Sequence, residues 1–392
     1  MAPTAAPLTD APALGGGAPS ATAAKWDSVL TELAERRRDF HAQSYVPRDF
    51  VARLKELGIY RASTPQQFGG EPMSPAEFLS AIERISAVDG STGWVATFGS
   101  ALTYLGSLPL ETQAEIYREG PDVAYAGGLF PVNPVKETAN GYLVSGRWKF
   151  ASGCMGADWI GVGIPGDEST QGRPRAVVMR PEQVQIIQEW DVTGLKASGS
   201  FDIVVDNVEV PREWTFARGG PSNIDEPLHR YPAIGFQAQV FAAVSLGVAG
   251  AALEFVREAG SRTGITGAPP LASRPYYRIE FAKATAALRS ARAWYFEVAE
   301  QVWDTVLAGD EVSPEQHAQI RISAANMADV AAKVVADLCA TSGSATTNNQ
   351  HPLQVLRQDV CVPQLHAFLG QSWYDAGGSV LLGQPSTVPG FS

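Results

Sequence analysis

After about Tyr231 the apolar residues of this chain recur three and four positions apart, and they keep that period almost to the end. Four segments carry it: "FQAQVFAAVSLGVAGAALEFVREAG", "RIEFAKATAALRSARAWYFEVAEQVWDTVLAG", "SPEQHAQIRISAANMADVAAKVVADLCATSG" and "PLQVLRQDVCVPQLHAFLGQSWYDAGG". The period places an apolar stripe along each helix, and stripes of that length must be buried against one another. A glycine stands at or near the end of each segment, where helices commonly stop, and the connections are short. Short connections make neighbours antiparallel, so residues 231–392 are predicted to form an up-and-down four-helix bundle.

Upstream the period changes twice. Between Asp122 and Arg230, "YLVSGRWKFASG", "ADWIGVGIP", "PRAVVMRP", "VQIIQEWDV" and "SFDIVVDNVEVP" are short, rich in Val, Ile and aromatic residues, and punctuated by Gly, Pro and Asp. Such segments describe strands, and together a small antiparallel β-domain or barrel. From Lys25 to Pro121, "WDSVLTELAERRRDFHAQ", "PRDFVARLKELGIY" and "SPAEFLSAIERISAVD" return to the helical period. Pro47 and the Ser74-Pro75 pair suit helix starts, and Gly69-Gly70 marks a turn between helices. The predicted class is therefore α+β and multi-domain: an N-terminal α-helical domain (25–121), a central antiparallel β-domain (122–230) and a C-terminal four-helix bundle (231–392). Residues 1–24, rich in Ala, Pro and Gly, read as a disordered tail without the basic start and apolar core of a secretion signal.

Composition narrows the function. A formal charge of -11 over 392 residues, without a local run of Lys or Arg, argues against a nucleic-acid or anionic-membrane partner. Cys154, Cys339 and Cys361 are too few and too scattered for a disulfide framework or a zinc site, and reduced thiols point to the cytoplasm. "VFAAVSLGVAGAALEFV" is short for a bilayer and interrupted by Glu254, so it reads as a buried bundle helix. There is no phosphate-binding loop with a lysine and no dinucleotide fingerprint. "GVGIPG" reads as a strand end, Glu254 and Glu258 as a solvated helix face beside Arg257 and Arg262, and all five histidines are isolated in sequence. One of the five, His366 in "QLHAF", stands in a stretch that reads as an amphipathic helix, where another leucine would have served.

Four strings follow one another through the three parts: "LKELGIYRASTPQQFGGEPMS", "GRWKFASGCMGADWIGVG", "GLKASGSFDIVVDNVEVP" and "PLQVLRQDV". In that order they resemble the acyl-CoA dehydrogenase family over almost everything after the tail. Members of that family that dehydrogenate thioesters need a carboxylate base. In many of them it lies eight residues after the aspartate of the "RD" pair, which here is Ala367, counted from Asp359. Others carry the base on the first bundle helix, where this chain has Gln237, Ala238 and Gln239. Neither place holds a carboxylate. Seven residues after Asp359 stands His366, which resembles the other branch of the fold, the two-component (group D) flavin-dependent monooxygenases.

That resemblance implies the oxygenase component of a pair. A separate NAD(P)H-dependent flavin reductase would supply reduced FMN or FAD, O2 would form a C4a-hydroperoxyflavin, and an aromatic indole-, phenol- or polyketide-like molecule would be hydroxylated. His366, titrating near neutrality, would supply and hold a proton there, and Ser152 in "WKFASG" would stand by the flavin N5. The resemblance also gives flavin contacts to Phe150, Gly153, Gly128 and Leu129, to Gly343 and Ser344, to Arg262 at a phosphate, and to Trp94 in "DGSTGWV", which resembles a pocket loop. It implies a homotetramer. The following "ATFGSALTYLG" lacks the second histidine of some phenol hydroxylases, and its apolar character suggests a neutral, hydrophobic ring as substrate. Two rivals remain at this level: a dehydrogenase or oxidase with an unconventional base, and a non-catalytic binding or assembly subunit.

Overall fold

Ser74 and Pro75 show how closely local chemistry sets the N-terminal helices. The Ser74 hydroxyl accepts a hydrogen bond from the Glu77 amide, the Glu77 carboxylate accepts one from the Ser74 amide, and Pro75 takes the first helical position, where no N–H is needed. Such a cap contributes about 1 kcal/mol. In the computed structural model, which describes residues 21–170, 172–261 and 269–388, this cap starts α3 (Pro75–Val88). Before it come α1 (Ala21–Gln43) and α2 (Arg48–Glu56). After it come α4 (Gly90–Ala96), α5 (Leu102–Leu105) and α6 (Leu110–Ile116). Helix α1 starts inside the stretch expected to be tail; the rest of that expectation, residues 1–20, lies outside the described residues.

The string "DGSTGWV" is a helix, α4, and not a loop. Asp89 caps it, accepting from the Thr92 amide at 2.8 Å and from the Thr92 hydroxyl at 2.7 Å. Helix α4 folds back so tightly on α3 that a Cβ at Gly93 would lie 1.9 Å from Ser86 Oγ. Only glycine permits that approach.

The middle of the chain is a pair of four-stranded sheets. Its strands are β1 (Tyr125–Gly128), β2 (Lys136–Glu137), β3 (Gly141–Ala151), β4 (Trp159–Ile164), β5 (Arg175–Met179), β6 (Gln185–Ile187), β7 (Phe201–Pro211) and β8 (Thr215–Ala217). One sheet runs β1-β4-β5-β8 and the other β2-β3-β7-β6. Val144, Trp148, Ile160, Val162, Val177, Phe201 and Ile203 fill the space between them. Trp148 ties the sheets together, its Nε1–H donating to the Gly163 carbonyl at 2.7 Å. One feature departs from the antiparallel expectation: β1 pairs with β4 in parallel. "AYAGGLFPV" hides that strand from sequence reading because its glycines carry no strand signal.

Helices α7 (Pro227–Arg230), α8 (Ala233–Gly260), α9 (Pro275–Ala308) and α10 (Pro314–Thr341) follow. Helix α8 is apolar and long enough to cross a bilayer by composition, but 78% of its most apolar window is buried inside the protein. It is packed between α3 and α10. The small residues of α8 serve this packing: a Cβ on Gly247 would lie 2.3 Å from the Glu83 carbonyl of α3. Arg292 of α9 adds an ion pair to the Glu83 carboxylate at 2.9 Å.

The last helical segment is not continuous. It is α11 (Pro352–Val360), a 3₁₀ turn at Pro363–Leu365, and α12 (Gln371–Leu381). Pro363 is the cause, because it has no N–H to offer the Asp359 carbonyl, and that carbonyl is met instead by the Val362 amide at 3.2 Å. His366 therefore does not sit on a helix. It lies in the break, with φ -71 and ψ 142.

Candidate active site

The break after α11, the end of β3, β1, α4 and the first half of α8 surround a cavity of about 730 Å³. That is within the roughly 300–1,000 Å³ usual for ligand sites. One end is hydroxylic and the other aromatic.

The hydroxylic end is built by the end of β3. The β3–β7 register shifts between Trp148 and Ala151, and Phe150 there takes a left-handed backbone with φ 59. A bulge with a bulky residue at positive φ is strained, and it turns the side chain outward. Phe150 is 66% exposed at the rim, edge-on to Trp190 with centroids 6.3 Å apart. Ser152 then enters the protein. Its Oγ accepts from Trp94 Nε1 at 3.0 Å and lies 2.6 Å from Ser200 Oγ, which lies 2.8 Å from Ser198 Oγ. Because Trp94 already donates to it, the Ser152 hydrogen is left for this chain of hydroxyls or for a ligand.

At the aromatic end, the rings of Trp94 and Phe241 stack at 4.4 Å. The His366 ring lies 4.6 Å from Phe241, 5.0 Å from Phe368 and 6.0 Å from Trp94. His366 Nδ1 accepts from the Phe368 amide at 3.1 Å. In a neutral ring the proton is then on Nε2, which is a donor. Burial, and next the Arg218 guanidinium, push its pKa down to about 4. The titration near neutrality that the sequence suggests is thus corrected: at pH 7 this imidazole is neutral.

Two carboxylates anchor these walls. The Asp359 carboxylate, used above only as a counting mark, accepts from the Leu195 amide at 2.7 Å and ties the segment before β7 to α11. Burial, and then the nearby Asp89, raise its pKa to about 7. Asp89 itself, besides capping α4, accepts from His41 Nε2 at 2.6 Å.

Of the residues singled out from sequence, Trp94, Gly128, Leu129, Phe150, Ser152 and His366 line this one cavity. Gly153 is next to it in a left-handed turn with φ 74, its amide donating to the Ser198 carbonyl at 2.8 Å. Gly343 and Ser344 follow α10 and are outside the lining. Arg262 lies outside the described residues. Ala367 lines the cavity, and among the described residues no Asp or Glu does. Sequence reading missed Tyr104, Arg218, Phe241 and Phe368, and weighed Gln237 only as a missing carboxylate. Apolar and basic residues at ordinary spacing carry no local signal of a site.

Known proteins resemble this chain in sequence and in fold. The acyl-CoA dehydrogenase N-terminal domain family matches residues 26–114, and the C-terminal domain family matches residues 239–371. The indole-3-acetate monooxygenase of Acinetobacter baumannii is 42% identical over 370 residues, covering 93% of this chain and 95% of the relative. The flavin-dependent monooxygenase oxygenase subunit HsaA of Rhodococcus jostii is 28% identical, covering 87% of this chain and 92% of its own length. Among solved structures, the 3-HSA hydroxylase from Rhodococcus sp. RHA1 superposes with a TM-score of 0.86 at 25% identity, covering 94% of this chain and 98% of that one.

The chain belongs to the flavin-dependent monooxygenases.

As a flavin-dependent monooxygenase of the acyl-CoA dehydrogenase fold, it takes a reduced flavin, and its own residues fit one. Gly128 and Gly161 of β1 and β4 line the cavity, and neither has room for a side chain: a Cβ at Gly161 would lie 1.8 Å from Tyr125 Oη, and one at Gly128 2.7 Å from the Lys149 carbonyl. Ser152 offers a hydroxyl able to donate and accept at the same wall, and Phe150 and Trp190 stand at the rim.

Proposed function

We propose that this monooxygenase is the oxygenase component of a two-component system, hydroxylating an aromatic small molecule with reduced FMN or FAD and O2. A separate NAD(P)H-dependent flavin reductase would be its partner, and the chain would work as a homotetramer in the cytoplasm. Helical, β and bundle domains at 25–121, 122–230 and 231–392 belong to the same reading. The observation that carries it is a neutral Nε2–H donor on His366, enclosed by three aromatic rings and facing a cavity with no carboxylate base among its described residues.

When bound, reduced flavin supplies the electrons that activate O2 and passes one oxygen atom to the substrate. The residues proposed to hold it are Ser152, Phe150, Gly153, Trp94, Gly128 and Leu129, with Gly343 and Ser344 as a further flavin-contacting loop and Arg262 at a flavin phosphate across a subunit boundary. Ser152 acts as both donor and acceptor while its bond to Trp94 keeps that ring stacked on Phe241. His366 would present its Nε2 hydrogen to the oxygen-bearing group and keep the proton, since burial and the Arg218 guanidinium both disfavour a charged ring. Trp94, Phe241 and Phe368 exclude water, which limits loss of oxygen as hydrogen peroxide. The relative that acts on indole-3-acetate, together with these aromatic walls, supports an indole-type substrate.

The test supplies the purified chain with a flavin reductase, NADH and indole-type substrates, and counts hydroxylated product against O2 consumed and peroxide released. Product formation that depends on the reductase is expected. Oxidised flavin that purifies with the protein and is bleached by an acyl thioester would point to a dehydrogenase instead. Failure to bind flavin in either redox form would leave only a non-catalytic subunit.

A further inference from the structure

Among the described residues, Arg218 is the one half-buried cation of the cavity lining; the other lining cation, Lys149, is exposed. It directly follows β8, and the chain turns sharply after it at Gly219, whose φ is 71 and where a Cβ would lie 2.6 Å from Ile234 Cδ1. The Arg218 Cζ lies 4.9 Å from the centroid of Phe368. Its charge is felt at His366, Tyr104 and Tyr125, three further residues of the same lining. Among the described residues no carboxylate lies within ion-pair distance of it, although most of the other arginines near the β-domain have one. A guanidinium facing apolar and aromatic walls loses hydration without a countercharge, and a planar anion restores the balance with two parallel hydrogen bonds.

A second group asks for a polar ligand atom. Gln237 is 4% exposed on α8, one turn before Phe241, and its Nε2 has no protein partner. Because an amide can turn over, that free end suits either a ligand oxygen or a ring N–H.

We propose that Arg218 anchors the carboxylate of an aromatic acid, with Gln237 meeting a second polar atom of the same molecule. The substrate would therefore be an anionic arene such as an arylacetate, and not the neutral ring that the apolar loop after α4 suggests. From Arg218 Cζ to the Phe368 centroid is 4.9 Å, and from there to the imidazole 5.0 Å. The guanidinium and the imidazole thus flank the same ring, and an arene with a short acidic arm would set its carboxylate at Arg218 with its ring against Phe241 and its reacting edge toward His366. Binding of the acid would also cancel the positive charge beside His366. This assignment rests on the hydroxylase reading for its choice of ligand, but its test does not need turnover.

The experiment measures binding of indole-3-acetate and of its neutral isostere indole-3-acetamide to the full chain and to Arg218→Gln, by calorimetry. The acid is expected to bind the wild type more tightly than the amide. Arg218→Gln should weaken the acid by about 10- to 100-fold and the amide by less than about threefold. Reduced FMN and FAD should bind both proteins alike. Equal losses for acid and amide would make Arg218 a packing residue and overturn the proposal. Loss of flavin binding with acid binding intact would assign it to the cofactor and also overturn it. Acid-selective binding that depends on Arg218 in a protein that hydroxylates nothing would uphold this proposal while sinking the functional reading. Hydroxylation of indole-type rings unaffected by Arg218→Gln would do the reverse.

Discussion

His41 and His366 are both half-buried, and their surroundings push their pKa values in opposite directions. His41 has a carboxylate at 2.6 Å, and although burial opposes it, Asp89 raises the pKa of its ring. His366 has aromatic rings on three sides and a guanidinium nearby, and its pKa falls to about 4. Burial is therefore not what decides the charge of a histidine. The presence of one carboxylate does. His41, beside its carboxylate, holds α1 to the cap of α4, and His366 faces the cavity as a hydrogen-bond donor.

The largest effect on this contrast should come from Asp89→Ala. It removes the α4 cap and leaves His41 without its partner, a loss of roughly 3 kcal/mol. Urea unfolding should show the midpoint falling accordingly, with Trp94 emission shifting as α4 loosens. A change under about 1 kcal/mol would mean that the pair is incidental to the fold.

Next in size is the exchange of His366. His366→Ala should lower hydroxylation by about 100-fold, with oxygen lost as peroxide, and leave the unfolding midpoint within about 1 kcal/mol. His366→Asn keeps an uncharged N–H donor and should recover a good part of the coupling. If Asn proves as poor as Ala, the ring must gain a proton during the reaction, and its neutral state is not the working one.

The smallest effect is in pH dependence, where the two histidines should differ in sign. His366 has a folded pKa below its unfolded value of about 6.5, so its contribution to stability is present above that value and is lost as pH falls toward 4. His41 has a raised folded pKa, so its contribution is full below about 6.5 and is lost as pH rises through the folded value. Wild type should lose stability relative to His366→Asn on acidification from about 6.5 toward 4, by up to about 1 kcal/mol per pH unit, and should lose stability relative to His41→Gln on alkalinisation. Parallel trends for the two variants would dissolve the comparison.

Much of the site was legible before any coordinates. "WKFASG" pointed to Phe150 and Ser152, "DGSTGWV" to Trp94, and the count from Asp359 to His366 and Ala367, and all five lie at one cavity. These strings could be read because a resemblance in order along the chain carries spatial information that local composition lacks. The charge on His366 could not be read. It depends on Phe241, Phe368 and Arg218, which lie over a hundred residues away or on an irregular stretch with no period of its own. The break at Pro363 was available in the sequence, and a strong apolar period on both sides of it obscured the proline.

By itself the sequence determined where helices and most strands run, because apolar spacing and capping residues act over a few positions. It also determined that a histidine and an alanine stand where a thioester dehydrogenase needs a base. Only the tertiary structure decided that β1 lies parallel to β4, that Asp359 is a tether, and that Arg218 turns inward beside a neutral imidazole. The reason is that hydration and charge are set by neighbours in space. Those neighbours come from distant parts of the chain that only folding brings together.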